Sequence, residues 1–180
     1  VDRIFIQYGY LSAFPANTMV CWTTDTMNPF NLPLDVRFDV AMSGVLGVGN
    51  DLSKWTATEI AIAKDKITRY KQIQSLVQRG TVYRLVSPYD EQRSALLYTA
   101  ADSTTAVLFC YNLGGYSNNS PSAVQSAKQL IMKGLHPDKL YQIGPKKEVY
   151  RGDYLMQIGI GWPASGGIKS MILDIKQTGA

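Results

Sequence analysis

Four aspartates, Asp25, Asp35, Asp39 and Asp51, form a loose acidic series in the first third of the sequence. Two carboxylates facing each other across a glycosidic bond can hydrolyse it, one donating a proton while the other attacks or activates water. These four fall in loops and on an exposed helical face at no diagnostic spacing, so they read as solvated or capping groups. His136, the single histidine, precedes a proline in GLHPDKL and is expected in a turn. It has no second histidine or nearby thiolate, so no metal site is expected. No serine sits in a GxSxG elbow. VLGVGND lacks both the GxGxxG spacing and the directly following helix of a phosphate cradle, and no cofactor is expected. Arg151-Gly152-Asp153 reads as a tight turn or bulge.

Trp22 and Cys21 are the candidates for substrate contact. They end the apolar run TMVCWTT just before the polar loop DTMNPFNLP. At the carboxyl end of a strand in a parallel α/β barrel, an aromatic side chain can pack on the apolar face of a sugar. The alternative is a core tryptophan beneath the loop.

The elements that must position these residues are of two kinds. Ile4, Tyr8 and Leu11 have helical spacing within residues 2–13, where Asp2 could serve as cap. Residues 18–24 are apolar almost throughout, as in a strand buried on both faces. LDVRFDVAM then makes a helix of about two turns, stopped by Ser43-Gly44, and VLGVG a short strand. Thr56-Ala57-Thr58-Glu59 is a capping box. Ile60, Ala63, Ile67, Tyr70, Ile73 and Val77 follow at spacings of three and four, and Gly80 is expected to end this helix in a left-handed conformation.

After Gly80 come seven strand-like runs: TVYRLVSP, SALLYTA, TAVLFCYNL, AKQLIMKGL, KLYQIG, EVYRGDYLMQIGI and KSMILDIK. The turn-rich segments between them suggest an antiparallel Greek-key β-sandwich. GGYSNNSPS, with Asn118 and Asn119, reads as a surface loop carrying a chance glycosylation sequon. The expected organisation is α/β in residues 1–80 and all-β in residues 81–180. Two buried-type strands with no hairpin between them cannot close a sheet alone. This predicts that VDRIFIQYGY is a cut end and that the α/β part is the last portion of a larger unit.

The 180 residues are 46% hydrophobic and 18% charged, an ordinary globular balance. The net charge of +4 comes from 18 Lys and Arg spread without a basic run, so no nucleic-acid partner is expected. No apolar stretch approaches the ~18 residues of a membrane span, and no membrane partner is expected. Cys21 and Cys110 lie in apolar surroundings and read as buried free thiols.

The order of pieces carries more than any single residue. IQYGYLSAFP, TMV, VRFDVAMSGVLGV, the long capped helix, GTVYRLVSPYDEQRSALLY and YRGDYLMQIGI resemble, in sequence, the C-terminal part of glycoside hydrolase family 36 α-galactosidases. RFDVAMSG with the following leucine-glycine and YRLVSPY are the most specific elements.

The resemblance implies a large enzyme with an N-terminal β-supersandwich, a central (β/α)8 barrel and a C-terminal antiparallel β-domain. MVCW would lie near the seventh barrel strand and VLGVG near the eighth. The implied activity is retaining hydrolysis of terminal α-linked galactose in oligosaccharides such as raffinose and melibiose. Both catalytic aspartates are expected upstream of Val1, so no residue here takes either role and the chain alone is expected to be inactive. Self-association of the parent and its compartment stay open, the bacterial cytoplasm or periplasm being the expected setting.

Val20-Cys21-Trp22-Thr23-Thr24 departs from the alanine-histidine-valine-serine stretch of many members, which leaves an α-N-acetylgalactosaminide open as substrate. A different reading is a non-catalytic carbohydrate-binding or structural module, with Tyr83, Tyr98, Tyr111 and Tyr154 as candidate aromatics on one sheet face.

Overall fold

A computed structural model describes residues 1–24, 31–114, 129–145, 148–164 and 167–179. Asp25, Asn118 and Asn119 lie outside the described residues.

Helix α1 (Asp2–Tyr10) buries Ile4 and Tyr8, as their spacing predicts. Its N-cap is Val1 rather than Asp2. Asp2 sits in the first turn, where a carboxylate opposes the positive end of the helix dipole. Strand β1 (Val20–Thr23) and strand β2 (Val45–Val48) flank helix α2 (Leu34–Ala41) and pair in parallel. Helix α3 (Ala57–Arg79) begins with the expected capping box, Thr56 accepting from the Glu59 amide while Glu59 accepts from Thr56.

Gly80 departs from expectation. Its backbone is extended, at φ −74°. A β-carbon there would fall 2.4 Å from the Leu76 carbonyl oxygen and 2.7 Å from that of Thr99. The glycine answers close packing rather than left-handed geometry.

Strands β3 (Thr81–Val86), β4 (Arg93–Thr99), β5 (Thr105–Leu113), β6 (Leu140–Ile143), β7 (Val149–Arg151) and β8 (Ile168–Thr178) form one six-stranded antiparallel sheet, ordered β3-β4-β5-β8-β6-β7. Strand β8 returns past the β6–β7 pair to lie beside both β5 and β6. The expected sandwich of residues 81–180 is therefore corrected: among the described residues the strands after Gly80 make one sheet, not two.

Alternation along the strands explains how that sheet is buried on both sides. Leu96, Tyr98, Val107, Phe109, Tyr111 and Leu113 face one core, built with α1, α3 and the inner side of β1. Ala95, Leu97, Ala106, Leu108 and Cys110 face the other, closed by Leu130, Met132, Leu135 and Leu155. Leu155 belongs to helix α4 (Gly152–Gln157).

Two expected strands give way to that cover. Among the described residues of AKQLIMKGL, only Leu130 joins a bridge, with Ile160. Within EVYRGDYLMQIGI, the strand ends at Arg151 and α4 begins. Gly152 is the first residue of that helix, and a β-carbon there would lie 1.9 Å from the His136 carbonyl oxygen, so the position admits only glycine. This replaces the expected turn or bulge.

The first core joins residues on both sides of Gly80. Tyr98 donates to the Ser43 carbonyl at 2.5 Å and Tyr111 to that of Asp39 at 3.2 Å. Arg69 of α3 pairs with Asp174 of β8 at 2.7 Å. No helix of the described residues is long and apolar enough to cross a membrane.

Candidate functional site

The parallel register sets Val20 opposite Val45, Cys21 opposite Leu46, Trp22 opposite Gly47 and Thr23 opposite Val48. Strand alternation then separates the two sequence candidates. Trp22 is 49% exposed and Val20 54%, whereas Cys21 and Thr23 are buried. The expectation of a strand buried on both faces is corrected within this chain, where one face of β1 is open.

Trp22 occupies that open face against the backbone of β2. A β-carbon at Gly47 would lie 2.7 Å from its Cε3, and one at Gly49 would lie 3.2 Å from the same atom. Glycines two residues apart, one in β2 and one just past its end, permit this close approach. The end of β1 is held from two helices. Arg3 of α1 donates to the Trp22 carbonyl and, at 3.0 Å, to Thr24 Oγ1. Arg37 of α2 donates to the Thr24 carbonyl at 2.8 Å, and the Gly49 amide closes on the Thr23 carbonyl at 2.9 Å. The exposed indole is thus carried on a strand end held in place from both helices.

Cys21 points the other way, into the core shared with the large sheet. Its thiol donates to the Met19 carbonyl at 3.6 Å, and burial pushes it up to about 12. A thiol so far above neutral pH is a packing residue, not a nucleophile.

The acidic series does not assemble into a hydrolytic pair among the described residues. Asp51 caps the turn at Ser53 and pairs with Lys54 at 3.3 Å, and Asp35 lies in the first turn of α2. Asp39 is buried, contrary to the exposed helical face expected from sequence. Its carboxylate accepts from Lys66 Nζ at 2.6 Å and Ser170 Oγ at 2.7 Å, joining α2, α3 and β8. Burial pushes the Asp39 carboxyl above its ordinary value, against the opposing pull of Lys66 and Ser170.

His136 is an exposed turn residue, its amide donating to Tyr141 Oη at 2.9 Å. No group of three or more potential metal ligands occurs among the described residues. Tyr98 and Tyr111 are core residues, and Tyr83 packs beneath Gly134. Tyr154 is exposed and stacks on Tyr150 with ring centroids 5.7 Å apart. The four tyrosines thus share no sheet-face platform. Sequence reading missed Arg3 and Arg37, whose contacts span 13 to 21 residues. It weighed VLGVG for phosphate, although the alternating glycines signalled the close approach.

Comparison with known proteins gives a consistent result. Residues 93–175 match the glycosyl hydrolase family 36 C-terminal domain. Over 162 residues the chain is 32% identical to Alpha-galactosidase 1 of Pediococcus pentosaceus, covering 88% of this chain and 21% of that protein. A crystal structure of a family 36 α-galactosidase from Geobacillus stearothermophilus matches with a TM-score of 0.86 and 33% identity, over 98% of this chain and 24% of that one. Another α-galactosidase from the same organism, solved in complex with raffinose, matches with a TM-score of 0.83 and 31% identity, again over 98% and 24%. The chain therefore spans less than a quarter of the length of these relatives.

Proposed function

We propose that this chain, which carries the glycosyl hydrolase family 36 C-terminal domain, is the C-terminal segment of a retaining α-galactosidase that releases terminal α-linked galactose from oligosaccharides. The observation that carries this reading is the two-stranded parallel sheet β1–β2, with Val20 and Trp22 exposed on one face. Parallel strands are stable with neighbours on both edges and cover on both faces. A larger parallel barrel supplies both. On this reading residues 1–80 are the last quarter of a (β/α)8 barrel, with β1 and β2 as its seventh and eighth strands. Residues 81–180 are the C-terminal domain, docked through the shared core.

Retaining hydrolysis needs two carboxyl groups about 5–5.5 Å apart. The buried Asp39 is committed to Lys66 and Ser170, so the nucleophile and the acid/base belong to the remainder of the enzyme and the chain alone is inactive. Trp22 supplies an apolar surface for the substrate. The axial O4 of galactose leaves one ring face rich in C–H, which suits an indole.

The departure at residues 20–24 favours a second substrate reading, because α-N-acetylgalactosamine shares the axial O4. Aryl α-galactoside and aryl α-N-acetylgalactosaminide are to be compared with the longer enzyme. The proposal expects the galactoside to have the higher kcat/KM. Preference for the acetamido sugar would replace it with the second reading, and turnover of neither would reject both.

A further inference from the structure

We propose that the groove between α3 and the adjoining end of the large sheet binds an anionic ligand of the phosphate-bearing small-molecule class. The groove encloses about 690 Å³, within the usual range for small-molecule sites. One wall is a single stripe of α3: Arg69, Gln72, Ser75 and Arg79, spaced three or four residues apart and hence on one helical face. Asp174 and Lys176 stand opposite on β8, two residues apart and hence on one face of the sheet. The short side chains of Ala100 and Ala101 leave the space open.

Charge selects the ligand class. Three cations face one carboxylate, and that carboxylate is neutralised by Arg69 at 2.7 Å. Arg79 and Lys176 are exposed and form no ion pair among the described residues. A neutral sugar would leave these charges unmatched. Phosphoryl oxygens accept from guanidinium and ammonium groups together, and Gln72 and Ser75 add neutral donors. Arg79 in the last turn of α3 also offsets the negative end of that helix, but Lys176 of β8 has no such role. Lys176 meets Arg69 and Arg79 only through the packing of α3 on the sheet. No groove residue belongs to β1 or β2, so anion binding here and sugar hydrolysis are tested by separate measurements.

The test is calorimetric titration of the chain with inorganic pyrophosphate and inorganic phosphate at about 0.15 M salt, where exposed charges are already well screened. Pyrophosphate is expected to bind with a submillimolar Kd, and more tightly than phosphate. The Arg79→Gln, Lys176→Gln double variant should weaken it by about tenfold or more, which corresponds to about 1.4 kcal/mol. Lys139→Gln, an exposed change outside the groove, should leave it unaltered. Both groove residues are exposed, and circular dichroism verifies that the variant folds. Absence of pyrophosphate binding to the unmodified chain, or equal affinity in the double variant, would overturn the proposal.

Discussion

Trp22 and Gly47 face each other in the parallel register of β1 and β2, and a β-carbon at position 47 would stand 2.7 Å from Cε3 of the indole. Real β-carbons do not approach other atoms so closely. The indole keeps half its surface outward because its neighbour has no side chain. Replacing either residue should therefore be felt by a ligand on that surface. Trp22→Ala is expected to lower kcat/KM of the longer enzyme for an aryl α-galactoside about tenfold, or about 1.4 kcal/mol of transition-state stabilisation. Gly47→Ala should lower it in the same direction by displacing the ring. Values within twofold of the unmodified enzyme for both variants would remove Trp22 from the substrate site.

Asp39 links α2, α3 and β8 through Lys66 and Ser170. Asp39→Ala leaves Lys66 without its buried partner and is expected to cost about 3 kcal/mol in urea unfolding. Asp39→Asn retains a partner for Ser170 and should cost less.

The pH dependence of the same site has a defined sign. Burial raises the folded-state carboxyl above its ordinary 3.8, so the folded chain holds this proton more firmly than the unfolded one. The contribution is fully present below pH 3.8 and is lost as pH rises through the raised folded value. Urea unfolding should show the stability of the unmodified chain, relative to Asp39→Asn, falling as pH rises above the ordinary 3.8. A difference that grows as pH rises would show the Lys66 and Ser170 bonds outweighing burial.

Features set by neighbouring residues were readable in the sequence, whereas features set across the fold were not. The Thr56–Glu59 box and the apolar stripe through Tyr70, Ile73 and Val77 define α3 because each contact spans one or two turns. Strands β4 and β5 are plain from composition. Their runs did not reveal whether the covering layers were sheets or helices, since a strand buried on both faces is apolar either way. The same uniformity concealed the alternation of TMVCWTT, which sends Trp22 outward and Cys21 inward. Asp39 looked like a surface carboxylate because Lys66 and Ser170 lie 27 and 131 residues away.

Gly80 provides a direct test of its corrected role. Gly80→Ala places a methyl 2.4 Å from the Leu76 carbonyl oxygen and 2.7 Å from that of Thr99. Both are backbone atoms, so relief requires the chain at position 80 to shift against both the last turn of α3 and β4. A loss of about 2 kcal/mol is expected, measured by thermal or urea unfolding. Gly161→Ala is the matched control, because a β-carbon there meets nothing within 4 Å. Equal stabilities for the two variants would contradict the close-packing account.

The central claim is that this chain contributes a wall and a substrate-facing tryptophan to a hydrolase whose catalytic carboxylates lie in the rest of the enzyme. Hydrolysis of an aryl α-galactoside by the 180-residue chain and by the longer protein measures this most directly. The account predicts no turnover above the uncatalysed rate for the chain and steady turnover, with retention of anomeric configuration, for the longer protein. Turnover by the chain alone, or a longer protein inert toward α-galactosides, would contradict it.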